Sequence, residues 1–164
     1  MKILDERQIS QKIKRLAIEI LEHNYSEKEI ILAGINNNGL GFAKMLHKEL
    51  KKISEIKFTL SQIMLNPAKP IDAAIELDTD VAELHKKVII VVDDVANTGR
   101  TIFYAFKPLF DILPKKIEVA VLVDRKHKSF PIKVDYVGLS LSTTLQDNIN
   151  VQILNTDDKA VYLV

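Results

Sequence analysis

A chain of 164 residues, 47 % hydrophobic and 27 % charged, is long enough to bury a proper core and is expected to form one domain over residues 1–164. A net charge of +1 argues against indiscriminate polyanion binding, and the absence of cysteine removes both a disulfide framework and a thiolate metal site. No apolar run approaches the ~20 residues needed to span a bilayer and no signal-peptide core follows Met1, so a cytoplasmic protein without a membrane partner is expected.

Ile9, Ile13, Leu16, Ala17, Ile20 and Leu21 recur at helical spacing behind Asp5 and Glu6 and predict an opening amphipathic helix. Residues 30–33 read as a buried strand, residues 34–39 as a glycine-bearing loop, and Phe42, Ala43, Leu46 and Leu50 as the inner face of a second helix. Residues 56–63 alternate as a strand does until Asn66 to Pro70 breaks them, and the weakly patterned stretch beyond reads as a flexible flap. Residues 88–92 form an apolar run whose polarity flips at Asp93 and Asp94, followed by a loop from Ala96 to Thr101. Ile102, Ala105, Phe106, Leu109, Phe110 and Leu113 then predict a helix that Pro114 stops. Residues 117–123 and 134–137 read as strands, and residues 151–164 as a hairpin or hood with its turn in 155–159. Buried strands alternating with helices predict an α/β fold with a mostly parallel sheet covered on both faces, and ligands beyond the carboxyl ends of its strands.

The stretch from Asp93 to Thr101 carries the chemistry. Glycine lets the main chain approach an anion closely, amides at a helix start carry partial positive charge, and Thr98 and Thr101 add hydroxyl donors, so the loop reads as a phosphate cradle. Two carboxylates beside an anion site make electrostatic sense only if they face something else, such as vicinal hydroxyls or a metal ion.

Asp93, Asp94, Val95, Ala96, Asn97, Thr98, Gly99, Arg100 and Thr101 together resemble the phosphoribosyl-diphosphate (PRPP) signature of the type I phosphoribosyltransferases. The resemblance implies that family's fold. It also implies that Asp93 and Asp94 are the catalytic acids that hold the ribose hydroxyls while the loop wraps the 5′-phosphate. Residues 121–138, with the opening helix, Ala33-Gly34-Ile35 and Gly39, are similar to the pyrimidine-operon attenuation regulator and uracil phosphoribosyltransferase (PyrR-type) branch. That likeness implies a pyrophosphate loop at Gly34, Ile35, Asn36, Asn37, Asn38 and Gly39 with Arg125 facing it, and Mg²⁺ carried by PRPP rather than held by the protein alone. It further implies a nucleobase such as uracil or a nucleoside monophosphate between Asp124 and Thr144, RNA contacts at His127, Lys128 and Lys133, and a homo-oligomer.

Three departures accompany the likeness. Where the branch has Gly-Ile-x-Thr-Arg-Gly, this chain has asparagine at 37 and 38, and an amide cannot reproduce the bidentate, charge-assisted grip of arginine on a phosphate. The flap carries Lys69 and Asp72 in place of a Tyr-Arg-Asp-Asp element, and Leu139 stands where relatives carry lysine. An active transferase and a regulator that binds PRPP or a nucleoside monophosphate, and with it RNA, both remain open. A P-loop enzyme is disfavoured, because Gly34-x4-Gly39 is followed by Leu-Gly and not by Lys-[Ser/Thr].

Overall fold

The computed structural model describes all 164 residues. A six-stranded sheet forms the centre. In chain order it contains β2 (Glu29–Ile35), β3 (Lys57–Met64), β4 (Glu76–Leu77), β5 (Val88–Ala96), β6 (Lys116–Arg125) and β7 (Tyr136–Leu141), arranged β4-β3-β2-β5-β6-β7. Every neighbouring pair is parallel except β3 and β4. A second sheet of three antiparallel strands brings β1 (Lys2–Leu4) beside β9 (Ala160–Leu163), with β8 (Ile149–Gln152) beyond it. The expected hairpin is present, and its pairing with residues 2–4 was not foreseen.

Both faces of the central sheet are covered, as strands buried on two sides require. On one face Ile30, Leu32, Val88, Ile90 and Val92 pack against α1 (Glu6–Asn24) and α2 (Asn36–Ile53). On the other, Ile31, Ala33, Ile89 and Val91 meet Ile102, Ala105 and Leu109. Helix α1 begins with a capping box: the Asp5 carboxylate accepts from the Gln8 amide at 2.8 Å while Gln8 Oε1 accepts from the Asp5 amide at 2.9 Å. No helix is long and apolar enough to cross a membrane.

Four local expectations are corrected. The helix after the signature is not continuous: α3 (Arg100–Ala105) gives way to a 3₁₀ turn at Lys107–Asp111. Pro108, which has no N–H to give the preceding turn, breaks it well before Pro114, and Phe110 and Leu113 are exposed. The stretch after β3 is not patternless, because β4 pairs back onto β3 and a 3₁₀ turn follows at Val81–Leu84. Asp78 anchors it by accepting from Ser61 Oγ at 2.9 Å and the Gln62 amide at 2.8 Å. Strand β7 starts at Tyr136, two residues later than expected, and residues 34–39 are not a loop, since β2 runs to Ile35 and α2 starts at Asn36.

The order of strands fixes where a ligand can sit. From β2 the chain crosses to β3 on one side, whereas from β5 it proceeds to β6 and β7 on the other. The connections leaving β2 and β5 therefore diverge and open a crevice beyond their carboxyl ends.

Candidate active site at the divergence of two strands

Strand β5 carries the acidic pair into that crevice, and it extends to Ala96, so the expected loop from 96 to 101 shrinks to Asn97, Thr98 and Gly99. Asp93 is only 8 % exposed. Its Oδ1 accepts from the Asp94 amide at 2.9 Å, and Asp94 Oδ1 accepts from the Val95 amide at 2.8 Å. Burial first, and then the neighbouring Asp94 carboxylate, pushes the Asp93 carboxyl well above the usual aspartate range. Burial also raises Asp94, opposed by hydrogen bonds from Asp93, the Val95 amide and the Asn38 amide. Two neighbouring carboxyls whose charges disfavour one another titrate as a pair.

Gly99 has φ +88°, a left-handed conformation that glycine adopts without steric cost, and it caps the start of α3. A Cβ there would lie 2.7 Å from Ile132 Cγ1. The Thr98 carbonyl accepts from the Ser129 and Phe130 amides at 2.9 and 3.2 Å, so the stretch after β6 braces the turn from behind. In front of it lies a cleft of about 440 Å³ lined by residues 95–102 and walled by Pro67 and Ala68. Arg100 Nη2 donates to the Pro67 carbonyl at 2.8 Å and fastens that wall.

A second cleft of about 430 Å³ adjoins the first, sharing Pro67, Val95, Asn97 and Thr101, and is lined by Asn36, Asn37, Asn38, Asp93 and Asp94. Two glycines place the asparagines there. A Cβ on Gly34 would stand 2.4 Å from the Leu40 Cα, and one on Gly39 would stand 2.5 Å from the Val92 carbonyl oxygen. The start of α2 thus rests directly on the backbones of β2 and β5. Ile35 is 1 % exposed and belongs to the core, so only its main chain can reach a ligand.

Each asparagine side chain has a partner within the protein. Asn36, at φ +53°, accepts from the Leu65 amide at 3.0 Å. Asn37 accepts from Gln62 Nε2 at 3.3 Å, and Asn38 Nδ2 donates to Asp94 Oδ2 at 3.1 Å.

Two of the basic candidates, Arg125 and Lys128, are engaged within the chain. Arg125 does not line the cleft of the asparagines. Its guanidinium donates to Thr143 Oγ1 at 2.7 Å, to the Thr144 carbonyl at 2.7 Å and to Asn97 Oδ1 at 3.3 Å, which fixes residues 143–144 beside the signature turn. Lys128 is bound inward to Asp124 at 2.6 Å and to the Arg125 carbonyl, because the chain bends after β6 ends at Arg125. His127 is exposed, and so is Lys133, 3.5 Å from Asp135. Lys69 lines neither cleft. Sequence reasoning did not single out Pro67 and Ala68 as a wall, nor Ile149, which reaches the second cleft from β8. Nothing in a periodicity could have linked Ile149 to Asp94.

The geometry can be set beside known proteins. The family model described as phosphoribosyl transferase domain matches residues 1–156. The chain belongs to the phosphoribosyltransferase family. Its relatives include the bifunctional protein PyrR of Bacillus pumilus, 36 % identical over 94 % of this chain and 91 % of that protein. The bifunctional protein PyrR of Macrococcus caseolyticus is 33 % identical over 98 % of this chain and 97 % of its own. These matches place this phosphoribosyltransferase in the PyrR branch. Among solved structures, the hypoxanthine phosphoribosyltransferase of Trypanosoma cruzi superposes with a TM-score of 0.79 at 18 % identity, covering 99 % of this chain and 95 % of that one. A hypoxanthine-guanine phosphoribosyltransferase from Bacillus anthracis gives a TM-score of 0.73 at 22 % identity over 85 % of this chain and 81 % of that one. At that identity the likeness speaks for a phosphoribosyltransferase fold only.

Proposed function

We propose that this phosphoribosyltransferase uses PRPP as donor and transfers its 5-phosphoribosyl group to a nucleobase, uracil by resemblance, with release of pyrophosphate. One observation carries the reading: buried Asp93 and half-buried Asp94 lie near the end of the strand that leads into the three-residue turn Asn97 to Gly99, which ends in left-handed Gly99. On this reading Asp93 and Asp94 hold the ribose hydroxyls. The amides of Asn97, Thr98 and Gly99, with Thr101, grip the 5′-phosphate in the cleft fastened by Arg100, while Asn36 to Asn38 face the diphosphate. The C1–oxygen bond breaks with its electron pair leaving on pyrophosphate, and a ring nitrogen of the base forms the new bond to C1 and gives up its proton to water or the departing pyrophosphate. The chain's part is to align sugar and base and to bias charge toward the developing cation at C1.

No group of three or more His, Cys, Asp or Glu side chains is placed to hold a metal, but two carboxylates suit an oxygen-seeking divalent ion whose other ligands are phosphate oxygens and water. Mg²⁺ bound with the donor would neutralise diphosphate charge. A cytoplasmic homo-oligomer is part of the same reading.

A second reading, a regulator that binds a 5-phosphoribosyl ligand and through it RNA, is favoured by the neutral asparagine turn. Exposed His127 and Lys133 are available to such a partner, while Lys128 is committed to Asp124. The deciding assay follows pyrophosphate release from PRPP and Mg²⁺ against a panel of purine and pyrimidine bases. Turnover with uracil that Asp94→Asn abolishes is expected. Binding of PRPP without turnover on any base moves the conclusion to the regulator, and no binding at all removes both.

A further inference from the structure

The asparagine cleft has an unusual charge balance for a place meant to hold a diphosphate. Its 11 lining residues include Asp93 and Asp94 and no lysine or arginine. The two arginines nearest in the site's architecture are already engaged, Arg100 with the Pro67 carbonyl and Arg125 with Thr143 and Thr144. The Asn38 amide gives a hydrogen to Asp94, and the Asn36 and Asn37 carbonyl oxygens are taken up by the Leu65 amide and Gln62.

What remains for a ligand carries no formal charge: the Nδ2 groups of Asn36 and Asn37, whose oxygens alone are taken, and the first turn of α2, where Ile35 gives no side-chain cap. Such an 18-residue helix end supplies roughly half an elementary charge. That suits water, a hydroxyl or one weakly held oxygen, and beyond what Mg²⁺ carried by the donor would neutralise it leaves a multiply charged diphosphate, set against two carboxylates, without a cation from the chain. The sugar-phosphate half differs: Thr98 and Gly99 line only the first cleft, beside Arg100, and Asn97 and Thr101 face it as well.

We infer that this site binds 5-phosphoribosyl compounds by their singly phosphorylated end, with Asn38 as the specificity-determining residue, so that ribose 5-phosphate and a nucleoside 5′-monophosphate bind about as tightly as PRPP. The inference rests on the sugar-phosphate reading proposed above and adds which ligands the site prefers. Asn38 acts by occupying Asp94 and by leaving the diphosphate half without a cation.

The test is calorimetric titration of the full chain with ribose 5-phosphate, uridine 5′-monophosphate and PRPP, each with and without Mg²⁺. The three dissociation constants are expected to fall within roughly tenfold of one another. Asn38→Arg is expected to shift the ratio toward PRPP by at least about tenfold, the effect of one charge-assisted fork. Asn37→Lys, at an exposed position, is expected to shift it in the same direction, and thermal unfolding reports whether each variant folds. A native affinity for PRPP more than about a hundredfold above that for ribose 5-phosphate overturns the inference and leaves the donor reading standing. Failure of all three compounds to bind overturns both.

Discussion

Arg100 Nη2 donates to the Pro67 carbonyl at 2.8 Å, joining the first residue of α3 to the stretch that follows β3 across 33 positions of sequence. The bond makes Pro67 and Ala68 a wall of the cleft in front of Gly99.

Because Arg100 is exposed, solvent screening limits that contact to about 1 kcal/mol. Arg100→Ala is therefore expected to quicken amide exchange over residues 66–75 by about fivefold while leaving β5 unchanged. Hydrogen exchange measured peptide by peptide checks this, and an unaltered 66–75 stretch would show that Arg100 does not fasten the wall.

The acid pair predicts a trade between stability and binding. The folded-state value of Asp93 lies above its ordinary 3.8 because burial and Asp94 disfavour the charged form. A carboxyl raised on folding contributes its stability below the unfolded value and loses it as pH rises through the folded value. Above the ordinary aspartate value, where the unfolded chain ionises Asp93 freely, its burial thus costs stability, and Asp93→Asn, which keeps an oxygen for the Asp94 amide, is expected to raise the melting temperature at neutral pH. The gain should vanish below the ordinary aspartate value, and PRPP binding should be lost. Melting curves at neutral and acid pH, paired with titration, test both halves; a lower melting temperature at neutral pH refutes the assignment.

Gly39→Ala is expected to destabilise the chain by about 1–3 kcal/mol, the usual cost of forcing a methyl into a filled space. Its Cβ would lie 2.5 Å from the Val92 carbonyl oxygen. The start of α2 must then lift from β5, which also parts Asn38 from Asp94. Urea unfolding reads the first effect. A variant as stable as the native chain would mean that α2 does not rest on the β5 backbone.

At the opposite end of the sheet, the Tyr136 hydroxyl donates to Glu118 Oε2 at 2.9 Å and accepts from Asn24 at 3.2 Å, all three residues being buried. Lys116 Nζ completes the cluster with Asn24 Oδ1 at 2.8 Å. Tyr136→Phe leaves a carboxylate oxygen without that donor and is expected to cost about 1–3 kcal/mol with ligand affinity intact. Paired urea and binding measurements check it; a weakened affinity would mean that this network is coupled to the site.

Much of the fold was legible because burial patterns are local. The apolar spacing of α1, the inner face of α2 and the aliphatic runs of β5 and β6 are each set within a few residues, and the structure buries Ile9, Ile13, Phe42, Leu46, Val91 and Val121. The break at Phe106 was missed although Pro108 encodes it, because the apolar positions on either side keep helical spacing. Residues 65–87 defeated pattern reading because their order comes from polar anchors, Asp78 to Ser61 and Asn36 to Leu65, and from scattered apolar contacts such as Leu65 and Leu84 that follow no helix or strand period.

By itself the sequence determined the chemical inventory: twin acids after an apolar strand, a threonine-glycine turn behind them, and asparagines where the branch carries threonine and arginine. Tertiary structure alone decided which of those groups are still free. Asn38 reaches Asp94 over 56 positions, Arg125 reaches Thr143 over 18, and Ile149 arrives from another sheet. Periodicity records which face of an element is buried, but a polar side chain's partner is chosen only when packing brings distant backbones together, here through Gly34 and Gly39, where two strands diverge.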